Sequence, residues 1–315
     1  MSNQFEHGHI RCGTIVVNDL STSRSLYCSE LSHEVVEHGQ ISTALSEAWG
    51  APAMAGTDYC LLQANGVADS NKMAKSYLRL IQSPAQQEPN AHATTYGWCA
   101  FEINVKDVFK LYDQIKSSNF EVVGPPKKMD GISNVIPMQV VGPDQEVLYL
   151  NQVFSSDETT DLPIADYDVD RIFIVVLGSH DLERSLESYT SDLNLTQGPT
   201  FELRYSLINR AFNLDPETKH TLSLLQHGRL PVMEIDGYPS PAKTRPIPDG
   251  GLSLGNAIVS LVVDDLDSLN IEHSLVGELN QDAGLNASLL YRGARTRVIK
   301  GNDGELLELI EHPES

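Results

Sequence analysis

The sequence predicts an α+β fold of four βαβββ modules, which form two equivalent halves of the chain. One observation is a repeated opening, in which residues 103–108 match residues 261–266, 158 positions later. A second observation is a repeated closing turn and strand, in which residues 142–150 match residues 301–309, 159 positions later. A shift of about half the chain indicates an internal duplication.

Each module opens with a strand that runs into a capped helix. In the first module, at residues 10–82, an apolar run ends at Asn18-Asp19. Asp is a common helix N-cap because its side chain accepts hydrogen bonds from free amides of the first turn. Asp19-Leu20 recurs as Asp181-Leu182, 162 positions later, in the third module. The predicted elements of the first module are strands at 12–17, 33–38, 59–63 and 77–81, and helices at 23–31 and 41–49.

The other three modules follow the same order. The second, at 96–153, has a strand at 96–105, a helix at 107–117, a strand at 121–123 and a hairpin over 135–153. The third, at 169–236, has a strand at 172–176, a helix from Leu182, an inserted helix near 205–213, and strands at 221–226 and 232–235. The fourth, at 255–312, has a strand at 258–263, a helix from Leu266, and strands at 291–299 and 306–310 around an Asp-Gly turn, which is typical of hairpins.

The segment 155–168 is acidic, poor in apolar residues and the predicted domain linker. It divides the chain into an N-terminal domain at 1–154 and a C-terminal domain at 169–315. We therefore expect the first module to pair with the second, and the third with the fourth.

Composition narrows the classes of function. The chain of 315 residues has 43 acidic and 22 basic residues, for a net charge of −21, so its surface repels nucleic acids and anionic membranes. No apolar run has the length of a membrane helix, and the N-terminal residues lack the pattern of a secretory signal. The four cysteines have no Cys-x-x-Cys spacing, which favours free thiols. We expect a cytoplasmic protein that acts on a small molecule and binds neither nucleic acid nor membrane.

The order of motifs resembles the vicinal oxygen chelate superfamily, which includes glyoxalase I, bleomycin-resistance proteins and extradiol dioxygenases. The resemblance covers residues 10–312 and rests on Val17-Asn18-Asp19-Leu20, Val263-Asp264-Asp265-Leu266 and the closing segment 302–309. It implies two glyoxalase-like half-barrel domains, each enclosing a cavity between paired modules, and a homodimer is expected from the superfamily alone. Members that do chemistry usually hold a divalent metal with side chains of the first strand, most often His, and with a Glu on the last strand.

These strand positions can be compared one by one with the sequence. The first-strand positions carry Cys12, Ala100, Ile258, and Ile174 or its neighbour Arg171, so none is His. The last-strand positions carry Arg79, Tyr149, Glu234 and Glu308. The predicted catalytic residues are Glu308 and Glu234, in a C-terminal cavity, and the predicted ligand-binding residues are Arg79, Tyr149, Trp98, Cys12 and Arg171.

Three interpretations of the two glutamates remain open. They could bind a hard ion such as Mg²⁺ or Mn²⁺, or they could act without metal as an acid and base, since facing like charges raise one pKa. They could also be structural, paired with Arg171, Arg292, Arg295 or Arg297.

The predicted function is a glyoxalase-like isomerase or lyase that moves a proton on a small carbonyl or aromatic compound. The alternatives are a metal-free binding protein of the resistance type and a ring-cleaving dioxygenase, which the missing histidines oppose.

Overall fold

The computed structural model describes residues 7–65, 76–91, 93–128, 133–279 and 285–312. Within them the chain forms four modules in the predicted order. The elements of the first module are β1 (Ile10–Val17), α1 (Leu20–Glu30), β2 (His33–Gln40), α2 (Thr43–Ala48), a 3₁₀ turn (Pro52–Met54), β3 (Asp58–Ala64) and β4 (Tyr77–Gln82). Those of the second are β5 (Gly97–Val105), α3 (Val108–Ile115), β6 (Glu121–Gly124), β7 (Val135–Val141) and β8 (Val147–Val153).

The second half of the chain repeats this order. The elements of the third module are β9 (Val169–Ser179), α4 (Leu182–Asp192), β10 (Thr196–Arg204), α5 (Ser206–Ala211), β11 (Lys219–His227) and β12 (Leu230–Gly237). Those of the fourth are β13 (Gly255–Val263), a 3₁₀ turn (Leu266–Ser268), β14 (Leu275–Leu279), a 3₁₀ turn (Leu285–Ala287), β15 (Thr296–Lys300) and β16 (Leu306–Glu311).

Aspartates cap the module helices as predicted. Asp19, Asp107 and Asp181 each accept hydrogen bonds from backbone amides in the first turn of α1, α3 and α4. The predicted helix of the fourth module is wrong, because only a 3₁₀ turn forms after Asp265. Arg297 donates to the carbonyl oxygen of Leu266 at 3.0 Å, so a side chain takes an acceptor that a longer helix would use.

The strands form two eight-stranded sheets that combine modules from both halves. The first sheet has the order β14-β15-β16-β13-β1-β4-β3-β2, and the second has the order β10-β11-β12-β9-β5-β8-β7-β6. The first module therefore pairs with the fourth through β1 and β13, and the second pairs with the third through β5 and β9. The expected pairing of neighbouring modules is wrong. The segment 155–168 joins two modules of one sheet instead of separating two domains.

One apolar core is shared by the two sheets and the module helices. It includes Ile15 and Val17 of the first sheet and Phe101 and Ile103 of the second. Gly13 allows the sheets to approach closely, because a Cβ there would lie 2.7 Å from the Phe101 ring. Each sheet therefore turns one face toward this shared core. The opposite face, here called its inner face, carries a separate apolar cluster.

Two buried Tyr–Glu contacts connect modules that lie in different sheets. Tyr27 on α1 donates to Glu146 at 3.1 Å, and Tyr189 on α4 donates to Glu305 in the equivalent place. Both glutamates follow a glycine by four positions, and a Cβ on Gly142 would lie 1.9 Å from Glu146 Oε1. These contacts connect the first module to the second and the third to the fourth.

No helix among the described residues combines the length and apolar character needed to cross a membrane.

Candidate functional site

The inner face of the second sheet carries three carboxyl groups. Phe101 and Ile103 lie in the shared core, which places Glu102 on the opposite face of β5, because side chains alternate along a strand. Glu234 and Asp236 lie two positions apart on β12 and therefore share one face. Glu102 is 6% exposed and Asp236 is 1% exposed, whereas Glu234 is half-buried and still reaches solvent.

Strand register determines which first-strand residues adjoin the last-strand positions. In the parallel pair β5–β8, Tyr149 lies opposite Glu102, and in β9–β12, Glu234 lies opposite Val176. In the first sheet, Arg79 lies opposite Thr14 and Glu308 opposite Ser260. The sequence predicts Cys12, Ala100, Ile174 and Ile258 at these first-strand positions. In the structure the residue opposite each last-strand position lies two places further along the first strand: Thr14, Glu102, Val176 and Ser260.

Burial and mutual repulsion raise the pKa values of the three carboxyl groups. Burial raises the pKa of Glu102 well above its usual range, and the charge of Glu234 adds to the shift. The pKa of Asp236 also rises well above its usual range, first through burial and then through Glu234 and Glu102. Burial raises the pKa of Glu234 to about 7. The contact with the Asp236 carboxyl opposes this rise at Glu234.

No basic side chain in the described part of the chain forms an ion pair with any of the three groups. The cluster must therefore hold protons at neutral pH, since several negative charges cannot remain together in a buried site without a counter-ion.

Three buried oxygen atoms beside the cluster have no hydrogen-bond partner among the described residues. They are both carboxyl oxygens of Asp236 and Oδ1 of Asn151. Asp236 lies against Glu234 and Tyr205, and the contact with Glu234 helps to raise its pKa. The Asn151 amide donates through Nδ2 to Glu102 Oε2 at 2.5 Å. Buried polar atoms are nearly always paired, so we expect Asp236 and Glu234 to share a proton.

Aromatic side chains surround the carboxyl cluster. Tyr205, directly before α5, donates its hydroxyl to that of Tyr149 at 2.5 Å. Phe173 and Tyr238 lie in the same apolar cluster as Tyr149. The ring of Phe212 packs at 6.2 Å from that of Tyr238. The site thus combines acidic groups with a largely aromatic wall, which is typical of small-molecule sites.

The equivalent face of the first sheet is occupied by a buried ion pair. Arg79 Nη2 lies 3.2 Å from Glu308 Oε2, and the two side chains are 2% and 0% exposed. Trp49 and Tyr291 donate to Glu308 Oε1 at 2.7 and 2.5 Å, and Ser260 donates to Oε2 at 2.5 Å. Both carboxylate oxygens of Glu308 are therefore bonded.

Arg79 is held from several sides within this network. It donates to the hydroxyls of Thr14 and Tyr291 at 3.0 and 2.6 Å, and its guanidinium lies 4.8 Å from the centre of the Trp49 ring. Burial alone would lower the pKa of Arg79, but Glu308 and Tyr291 outweigh burial and raise it. The structural interpretation of Glu308 is thus supported, with Arg79 as its partner.

The two inner faces differ in whether they could hold the divalent metal expected from the resemblance noted in the sequence. In the first sheet, the Arg79 guanidinium lies against Glu308, so a metal does not fit there. In the second sheet, carboxyl and amide oxygens are ligands that Mg²⁺ or Mn²⁺ accepts. The described residues nevertheless bring no three His, Cys, Asp or Glu side chains into a metal-binding arrangement.

The structure separates several residues that the sequence placed together. Glu234 lies in the second sheet and Glu308 in the first, so the predicted pair in one C-terminal cavity is wrong. Arg79 and Cys12 lie near Glu308, and burial raises the pKa of the Cys12 thiol to about 12, so the thiol is inert. Tyr149 lies in the second-sheet site.

The two remaining predicted ligand residues lie elsewhere. Trp98 belongs to the core between the sheets and donates to the carbonyl oxygen of Leu306 at 2.9 Å. Arg171 lies near the start of β9, where its backbone amide donates to Asn104 Oδ1. Among the described residues, no ion pair joins Arg171 to either predicted catalytic glutamate.

Sequence reasoning missed Glu102, Asp236 and Asn151. Each is a polar residue inside a strand that is otherwise mainly apolar. Each also lies on the same face of its strand as a residue that the sequence analysis selects. Glu102 follows Ala100 by two positions and Asp236 follows Glu234 by two. A search that also includes the residue two positions further along each strand finds all three.

Comparison with known proteins gives structural matches only. No family model matches the sequence, and no curated protein matches it. Glyoxalase I from Zea mays superimposes with a TM-score of 0.59 at 16% identity, covering 96% of this chain and 92% of that one. A protein from Bacillus subtilis described as a putative dioxygenase superimposes with a TM-score of 0.58 at 9% identity, covering 98% of this chain and 87% of that one. These matches confirm the predicted fold class and the predicted architectural resemblance.

Proposed function

We propose that this chain, which has the fold of the vicinal oxygen chelate superfamily, is an isomerase or lyase that moves a proton on a small carbonyl compound. The reaction takes place on the inner face of the second sheet. The observation that supports it is a group of three carboxyls, the buried Glu102 and Asp236 and the half-buried Glu234, without a basic partner among the described residues.

Glu234 is the proposed general base. Its pKa of about 7 leaves a large fraction ionised at neutral pH while keeping it basic enough to remove a proton. It is also the member of the cluster that reaches solvent, so a substrate can approach it. A positioned base with a matched pKa contributes about 10²- to 10⁴-fold to a proton transfer.

Glu102 is the proposed general acid. Its raised pKa keeps it protonated near neutral pH, and the amide of Asn151 binds one of its oxygens at 2.5 Å. The other oxygen can then donate a proton to the carbonyl oxygen of a substrate, which stabilises the enolate formed when Glu234 removes the neighbouring proton.

The test is exchange of carbon-bound hydrogen for deuterium. A panel of small aldehydes, ketones and keto acids is incubated with the protein in D₂O, and exchange next to the carbonyl is followed by NMR. We expect Glu234→Gln to lower the rate by about 100-fold or more. Glu121→Gln is the matched control, because it removes one negative charge from an exposed position on β6 of the same sheet. Exchange that persists in Glu234→Gln would refute the role of this base.

A metal-free binding protein is the second candidate, favoured by the aromatic wall that Tyr149, Phe173 and Tyr238 form. Saturable binding of a panel compound without any exchange would support this candidate over the enzyme. The dioxygenase alternative is weaker, because the paired strand positions carry Thr14, Glu102, Val176 and Ser260 opposite Arg79, Tyr149, Glu234 and Glu308, and none of these is His.

A homodimer is a further part of the proposal. The chain has a mass of 34.6 kDa, so light scattering distinguishes a monomer from a dimer directly.

A further inference from the structure

A partly open cavity lies where the two sheets meet, outside the carboxyl cluster. It spans about 300 Å³, part of which is open to solvent, between the first residues of β13 in the first sheet and the first residues of β5 and β8 in the second. Val147, Arg245 and Asn256 are among the residues of its wall. The enclosed part is narrow, so only a ligand of a few atoms fits inside.

The internal duplication explains why this space exists. Asn256 corresponds to Trp98 by the same shift of 158 positions that relates residues 261–266 to residues 103–108. Trp98 is buried and donates to the carbonyl oxygen of Leu306 at 2.9 Å. Asn256 bonds to Val147, the residue equivalent to Leu306, by accepting from its amide at 2.9 Å and donating to its carbonyl oxygen at 3.3 Å. The smaller Asn256 side chain therefore leaves room where an indole would otherwise pack.

Arg245 brings an uncompensated positive charge to the wall of this cavity. Its Nε donates to Thr95 Oγ1 at 3.0 Å, and its two terminal nitrogens donate to the carbonyl oxygens of Asn256 and Trp98 at 2.6 Å each. All three acceptors are neutral. No acidic side chain in the described ranges forms an ion pair with Arg245, although the chain has 43 acidic residues. A partly buried charge without a counter-ion is costly, which indicates a place for an anion.

The donors that remain on Arg245 suit such an anion. The three bonds use three of the five N–H groups of the guanidinium, so one N–H is left on each terminal nitrogen. Burial lowers the pKa of Arg245, but a guanidinium stays charged at neutral pH because its ordinary pKa lies far above 7.

Asp144 is the acidic residue of the wall, and its carboxyl is engaged elsewhere. It accepts from the backbone amide of Asn18 at 3.1 Å, and burial raises its pKa, which lessens the repulsion of an anion. The wall as a whole therefore attracts a small anion and repels a cation.

We infer that this cavity binds a small monovalent anion, of the size of chloride or formate, at Arg245. The anion balances the guanidinium and lies between β13 of the first sheet and β5 and β8 of the second, so it stabilises the folded chain. The inference does not depend on the proposed reaction, because Glu102, Glu234 and Asp236 do not line this cavity.

The first experiment measures chloride binding to the unmodified protein. Sodium chloride replaces sodium HEPES, whose anion is too large for the cavity, at constant ionic strength, and the line width of the chloride NMR signal is followed. We expect the protein to broaden the signal, because bound chloride relaxes fast, and sodium formate to reverse the broadening by competition. A signal that the protein leaves unbroadened, or broadening that formate does not reduce, would overturn the inference.

Two variants locate the site. Arg245→Gln removes the charge and is expected to weaken chloride binding at least about tenfold, whereas Arg184→Gln, which removes a positive charge from an exposed position on α4, leaves it unchanged. Asn256→Trp keeps Arg245 and fills the cavity with the side chain found at the equivalent junction, so it should also abolish binding. It decides the question if Arg245→Gln does not fold. Broadening that persists in either folded variant would mean that chloride binds elsewhere, and would overturn the inference.

Melting temperatures test the stabilising role of the anion. Exchange of sodium HEPES for sodium formate at equal ionic strength should raise the melting temperature of the unmodified protein and of Arg184→Gln, but not that of Asn256→Trp. An equal rise in all three proteins would be a general salt effect and would overturn the link between the anion and this cavity.

Discussion

The buried pair Arg79–Glu308 allows the sharpest quantitative prediction. Replacing Arg79 by Met removes the guanidinium but keeps most of the side-chain length. Glu308 then remains at 0% exposure with its charge no longer balanced. Breaking a buried ion pair on one side costs about 3 to 5 kcal/mol in the free energy of unfolding. The hydroxyls of Thr14 and Tyr291 also lose a donor.

This energy converts into a shift in melting temperature. An unfolding entropy of about 2.1 cal/mol/K per residue gives about 0.7 kcal/mol/K for the chain of 315 residues. If the sheets unfold together, Arg79→Met should lower the melting temperature by about 4 to 8 °C. Calorimetry measures this shift directly, with urea unfolding as a second assay.

A double-mutant cycle separates the ion pair from general packing. Glu308→Gln alone is expected to destabilise the protein, because it leaves the guanidinium buried without a counter-charge. Arg79→Met combined with Glu308→Gln removes both charges and keeps an acceptor for Trp49 and Tyr291. We expect the double variant to be at least about 2 kcal/mol more stable than the sum of the single effects predicts.

Lys110→Met is the matched control for the cycle. It breaks the ion pair with Asp168, whose two side chains are 65% and 64% exposed, so its cost should stay below about 1 kcal/mol. A cost of that size for Arg79→Met, or a coupling energy near zero, would refute the description of the first sheet as closed by a buried ion pair.

Three further predictions concern titration and packing. Burial raises the pKa of both Glu146 and Glu305 to about 7, so the stability that their protons contribute is fully present below their unfolded pKa near 4.5 and is lost as pH rises through about 7. The protein should therefore become less stable between about pH 5 and about pH 8 as Glu146 ionises. In Glu146→Gln this fall in unfolding free energy should be about 3 kcal/mol smaller, measured by urea unfolding at each pH. An unchanged pH dependence would contradict the assignment. Gly142→Ala should lower the melting temperature by several degrees, because its Cβ would lie 1.9 Å from Glu146 Oε1, and an unchanged value would contradict the packing described. The rate of proton exchange should rise with pH around about 7 as Glu234 ionises, and a flat profile would exclude it as the base.

The module architecture could be predicted because its signals are local. Asp19, Asp107 and Asp181 each end an apolar run and cap a helix, and both events depend on residues within one or two turns. The fourth module shows the limit of such reasoning. After Asp265 the helix stops at a 3₁₀ turn, where Arg297 of a distant strand bonds to Leu266.

The candidate site could be predicted only in part. The strand position of Glu234 predicts it as a site residue, whereas on β5 the same reasoning selects Ala100 and not Glu102, which lies on the same face. Parity along a strand is visible in a sequence, but the register between two parallel strands is not. The pairing of Tyr149 with Glu102 is fixed by hydrogen bonds between β5 and β8, which lie far apart in the chain.

The four modules, their order and the face on which each strand residue lies follow from the amino-acid sequence, because caps, turns and alternation act over a few residues. The pairing of the first module with the fourth and of the second with the third depends on contacts between distant parts of the chain. Either pairing would give the apolar strands β1, β5, β9 and β13 a hydrogen-bonded neighbour, so local patterns cannot distinguish the two. That choice separates Glu234 from Glu308, gives Glu308 to Arg79, and leaves Glu234 with two other carboxyl groups.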